Sequence, residues 1–88
     1  MIDGGNKVER LIYIFSNETE ELLEELDMSS FDLIAFQKAF NVSEKNDPMI
    51  YSYQIEPRHV DFISKYLAKE HSWDFNKYSY FLEASAIE

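Results

Sequence analysis

The chain has 88 residues, no cysteine, seven Phe, six Tyr and one Trp, and a formal charge of −9. A chain of this length buries only about 60 to 65% of its unfolded surface, so one domain over residues 1–88 is expected; without cysteine there is no disulfide framework, thiol chemistry or Cys-based zinc site. The negative charge opposes binding to nucleic-acid phosphates and acidic membranes and favours encounter with a basic protein surface.

Residues 1–7, MIDGGNK, contain both glycines of the chain and read as a loose N-terminal segment. They lack a basic region followed by an apolar run, and the longest apolar stretch, 11–15, is only strand-sized, so the expectation is a soluble, cytoplasmic protein. VERLIYIF, 8–15, is strand-like. Leu11, Tyr13 and Phe15 point one way and Val8, Ile12 and Ile14 the other, which predicts a central position in a sheet.

The next stretch, ETEELLEELD over 18–27, holds six carboxylates and three leucines without a base. Local rules divide over its conformation. Asn17 followed by Glu20 resembles a capping box, and Leu22, Leu23 and Leu26 share a helical face. SNETEEL directly after a strand also has the form of a hairpin turn feeding a second strand, with Glu20 standing where such turns prefer Gly. Both readings remain open from the residues alone.

Ser29 or Ser30 is placed to cap a helix through Phe40, with Phe31, Leu33, Ile34, Phe36 and Phe40 on its apolar face. SEKNDP then breaks the chain, and MIYSYQI, 49–55, alternates as a strand with Tyr51, Tyr53 and Ile55 on one side. Pro57 opens a helix predicted to run to about His71, with an Asp61–Lys65 surface pair. KYSYFLEASAI, 77–87, is strand-like: Tyr78, Tyr80, Leu82 and Ala84 share one face, while Phe81 and Ile87 share the other with Ser79, Glu83 and Ser85. The pattern predicts an α+β fold, a small mostly antiparallel sheet of three or four strands packed on two or three helices.

No catalytic signature accompanies these elements. The two histidines, His59 and His71, stand apart from any carboxylate at metal-ligand spacing and read as a first-turn polar residue and a helix C-terminal residue. No nucleophile-elbow serine or Gly-rich loop is present, and acids spaced around leucines suit a solvated face better than a carboxylate pair in a cleft. The expectation is therefore a protein without enzymatic activity, cofactor or metal. Phe31, Phe36, Phe40, Phe62 and Trp73 read as core, whereas Tyr51, Tyr53, Tyr78 and Tyr80 crowd two neighbouring strands and suit either core or interface. Lys77 is the only base near them, which argues against a nucleic-acid platform.

Charge distribution is more informative than its sum. Over residues 11–37 there are seven acids and no Lys or Arg. An ordinary solvated helix intersperses bases three or four residues from its acids. Unbalanced acid instead imitates a phosphate backbone and complements the basic cleft of a nucleic-acid-processing enzyme. Small size, acidity, absence of cysteine and aromatic richness together resemble the immunity proteins that bacteria make against colicin-type or contact-dependent growth-inhibition toxins. DFNKYSYFLEAS, 74–85, and LIYIFSNETEEL, 11–22, also look like a family of small bacterial proteins without assigned activity.

The immunity resemblance implies a cytoplasmic protein that binds a basic toxin domain, such as a nuclease, and blocks it without chemistry; a small interaction module or antitoxin-like regulator is the alternative. The expected contact residues are Glu18, Glu20, Glu21, Glu24, Glu25, Asp27 and Asp32, supported by Tyr78, Tyr80 and Glu83. The family resemblance also favours the hairpin form of residues 18–27.

Overall fold

The computed structural model describes residues 8–86; the segment 1–7, Ile87 and Glu88 lie outside the described residues. The fold is α+β: β1 (Val8–Ser16), β2 (Leu22–Asp27), α1 (Leu33–Ala39), β3 (Tyr53–Ile55), a 3-10 turn (Pro57–His59), α2 (Val60–Ser64) and β4 (Tyr78–Ala86). The four strands form one sheet in the order β2-β1-β4-β3, every neighbour antiparallel. β1 is central, as its two apolar faces require.

Alternation sorts the sheet into two faces. Ile12 and Ile14 of β1, Tyr80 and Leu82 of β4 and Ile55 of β3 pack with Met49, Phe36 of α1 and Ile63 of α2 into the buried core. Phe36 is its centre, with Phe31, Phe62 and Tyr66 ring centroids at 4.4, 4.8 and 4.9 Å. Truncating such a ring costs about 3–5 kcal/mol through lost burial and the cavity left behind. The described helices lie on this side of the sheet.

Residues 18–27 form a turn and a strand, so the hairpin reading holds and the helix reading fails. The Asn17 side chain, which would have capped a helix, instead donates to the Phe75 and Asn76 carbonyls at 3.2 and 3.3 Å. The Ser16 hydroxyl accepts the Glu18 and Thr19 amides, and the chain reverses through Glu20 at φ 64°. A register slip between Ile14 and Phe15 pairs Ile14 with Glu24 and Phe15 with Leu22, leaving Leu23 as the extra residue of a bulge.

Three other boundaries differ from expectation. α1 is capped by Asp32, whose carboxylate accepts the Ala35 amide at 3.2 Å, rather than by a serine; Ser29 donates to the Tyr66 carbonyl. Its C-terminus closes with Asn41 at φ 59°, the Asn41 and Val42 amides reaching the Lys38 and Gln37 carbonyls as in a Schellman cap. β3 begins only at Tyr53, because Met49 sits at φ 53° while Arg10 binds the Pro48 and Met49 carbonyls at 3.0 and 2.6 Å and lies over the Phe31 ring. α2 stops at Ser64, before Lys65 and His71, since the following backbone is taken by the end of β2: Met28 bridges Leu67, and the Ala68 amide donates to the Asp27 carbonyl at 3.0 Å.

Candidate partner-binding surface

The second face of the sheet carries the candidate site. Cross-strand register places three rows on it: Asp27–Leu11–Glu83, Glu25–Tyr13–Phe81 and Leu22–Phe15–Ser79. Phe15 stands edge-on to Phe81 at 5.6 Å and to Tyr13 at 6.2 Å, so the centre of the face is an aromatic strip. None of these three rings belongs to the hydrophobic core or the side chains packed against it. Leu11 is the residue buried deepest on this side, at 6% exposure, while Leu22 is 44% exposed.

Acids rim the strip. Glu25 and Asp27 flank it from β2 and Glu83 from β4, whereas Glu18, Glu20 and Glu21 project from the β1–β2 turn. Glu24 pairs with Ile14 and so lies on the core side of the edge strand. Each carboxylate of residues 18–27 is exposed, and among the described residues the ion pair present is Arg58–Glu56 at 3.3 Å, well away from them. Solvent-facing acids without bases between them leave a negative potential uncompensated at this edge.

β2 is itself an edge strand. The Asp27 carbonyl faces outward to Ala68, and alternation then turns the Glu25 N–H and C=O outward as well, with no strand beyond them among the described residues.

At the turn end of the strip lies a groove of about 390 Å³, lined by Phe15, Phe81, Glu20, Glu83 and the hydroxyls of Ser52 and Ser79. Ser52 donates to Glu83 Oε2, and Ser79 donates to Asn17 Oδ1.

Not every expected contact residue belongs here. Tyr80 is fully buried on the core face, where its hydroxyl accepts the Asp74 amide at 3.0 Å; it is a core residue, and burial pushes its phenol up. Tyr78 is on that same core side, half-buried and 6.5 Å from the Tyr80 ring. Asp32 is spent as the α1 cap. Glu83, by contrast, lies on the open face. The aromatic strip of Tyr13, Phe15 and Phe81 was not among the expected contacts. The signal that finds it is the half-polar row Ser79, Phe81, Glu83 and Ser85, a pattern that a core-facing strand side does not carry.

Neither histidine lies in this groove. His59 stands in the turn that opens α2, as expected, and is buried at 3% exposure; its ring stacks on Phe40 at 4.2 Å and its Nδ1 accepts the Glu56 amide at 2.9 Å. His71 lies beyond α2 against Trp73 and Tyr80 rather than at a helix end. Among the described residues no group of three His, Asp or Glu converges as a metal site, and no helix is long and apolar enough to cross a membrane.

Residues 9–83 match the model of the family described as Domain of unknown function (DUF7683). The chain belongs to that family. The match takes in β1, the turn, β2, both helices, β3 and β4 as far as Glu83, and with them every residue that lines the groove. No curated protein and no solved structure matches the chain.

Proposed function

We propose that this chain is a cytoplasmic immunity protein, an inhibitor without catalytic activity that binds a basic bacterial toxin domain of the nuclease type. The observation that carries the reading is the exposed, unpaired run of acids at the β1–β2 turn and β2, set beside an aromatic sheet face. Charge of one sign steers a basic partner inward, and apolar rings at the centre supply the desolvated contact that charge alone does not. Glu18, Glu20, Glu21, Glu25, Asp27 and Glu83 form the acidic rim, and Glu24 adds exposed charge from the core side of β2. The aromatic strip also favours a second reading, a small interaction module or antitoxin-like regulator of another bacterial protein.

The experiment is co-expression with a basic nuclease toxin domain, taken from the gene directly upstream where that gene encodes one. Growth should be protected by the wild type and lost with Glu20, Glu21, Glu24 and Glu25 all changed to Lys, while the circular dichroism spectrum and cooperative unfolding persist. Full protection by that variant would sink the acidic-surface reading, and no protection by the wild type would favour the regulator.

A further inference from the structure

The groove at the turn end of the aromatic strip has a chemistry of its own. Its floor is the edge-to-face pair of Phe15 and Phe81, 82° between planes, and its rim carries Glu20 and Glu83 with no Lys or Arg among the lining residues. At about 390 Å³ it accommodates a long side chain and lies within the ~300–1,000 Å³ range typical of ligand sites. An anion entering would meet two carboxylates, and an aliphatic side chain would desolvate them without pairing. A flat cation satisfies both features: it lies on a ring face, where the quadrupole attracts it, and donates in its own plane to carboxylate oxygens. An ammonium is more strongly hydrated and does not stack, which separates arginine from lysine.

We infer that the Phe15–Phe81 groove receives an arginine side chain of a basic partner protein, the guanidinium stacking on the floor and donating to Glu20 and Glu83. The inference rests on the partner-binding reading above and identifies the residue that anchors it. A second copy of this chain is a poor source of that arginine. Its two arginines are Arg10, held by the Pro48 and Met49 carbonyls, and Arg58, paired with Glu56, and two chains of charge −9 repel.

The test is a nuclear magnetic resonance titration of the full chain with the blocked pentapeptide Gly-Ser-Arg-Ser-Gly and its citrulline, lysine and norleucine counterparts. The arginine peptide should produce saturable shifts confined to Glu20, Ser79, Glu83 and the rings of Phe15 and Phe81. Citrulline, the neutral isostere, should bind at least roughly tenfold more weakly, equivalent to ~1.4 kcal/mol. Phe81→Leu and Glu83→Gln should each weaken the arginine peptide several-fold while the thermal midpoint stays near that of the wild type. Equal binding of the citrulline peptide overturns the assignment, as do non-saturating shifts spread along residues 18–27 or no shifts at all. Shifts that depend on protein concentration without peptide also overturn it, by identifying a second copy as the occupant. A groove that takes the arginine peptide in a chain giving no toxin protection removes the toxin reading alone; protection that survives Phe81→Leu and Glu83→Gln removes the groove alone.

Discussion

His59 is held neutral by its surroundings. Burial lowers its imidazole below the ordinary histidine range, and the Arg58 charge acts in the same direction against weaker opposing pulls from Glu56 and the Ala39 backbone. Because Nδ1 accepts the Glu56 amide, the proton of the neutral ring sits on Nε2, which is buried near the Ala39 backbone without a well-formed hydrogen bond. The unfolded chain therefore binds a proton more readily than the folded one. The His59 contribution to stability is complete above the unfolded value of about 6.5 and declines as pH falls from there toward the lowered folded value. Urea unfolding at pH 7.5 and 5 should show this loss in the wild type and a smaller one in His59→Phe, which keeps the stack on Phe40. An equal loss in the variant would place the pH dependence elsewhere. A single-sequence reading places His59 in a first helical turn but cannot foresee Phe40, nineteen positions earlier in the chain, closing over its ring.

Glu20 makes the opposite case, since its awkwardness is visible in the sequence. It occupies left-handed backbone at φ 64° in a position where a hairpin turn prefers Gly, and its carboxylate rims the groove. Glycine there relieves the Cβ clash but loosens the unfolded chain, for a net gain of about 0.5–1 kcal/mol. Glu20→Gly should thus raise the urea midpoint while weakening binding of the arginine pentapeptide, two readouts moving in opposite senses. A destabilised variant would mean that the turn depends on the glutamate side chain.

β2 and the segment after α2 explain each other. Residues 57–71 carry a helical apolar pattern, yet the helix stops at Ser64 because Leu67 and Ala68 close the far end of the β2 edge. Local periodicity was sufficient for β1 and β4, whose partners are whole faces, and located α1 while misplacing Ile34, which is 66% exposed rather than on the packed face. It failed where a few backbone hydrogen bonds to a distant strand outweighed propensity. The same contact leaves Leu23 and Glu25 as the uncovered part of the edge, with Leu22 and Leu23 44% and 54% exposed. Charged residues on such an edge oppose pairing between copies as well as attracting a basic partner. Glu24→Thr with Glu25→Thr should therefore self-associate in sedimentation velocity as concentration rises, whereas the wild type stays monodisperse. A monomeric double variant would show that the bulge and the Leu67 bridge guard the edge unaided.

Over the whole molecule, the acids reach their common location from separate parts of the chain. The β1–β2 turn, β2 and Glu83 of β4 are brought to one side by the β2-β1-β4 order, while Asp32 and Glu56 are spent locally as a helix cap and an ion-pair partner. Composition revealed the imbalance, and register decided which carboxylates share a face with the rings. A net charge of −9 with its density on one side predicts association governed by long-range attraction. Electrostatic steering raises on-rates by ~10 to 10³ at low salt, and screening removes it once the Debye length falls to about 3 Å near 1 M. Stopped-flow association with the proposed toxin partner should therefore slow steeply from 20 mM to 1 M salt, with dissociation changing far less if the rings are buried in the complex. The four-lysine variant of the turn and β2 should flatten that salt dependence, and Phe81→Leu should leave it intact while speeding dissociation. If salt acted on dissociation rather than association, the acids would be forming short-range ion pairs within the complex instead of a steering field.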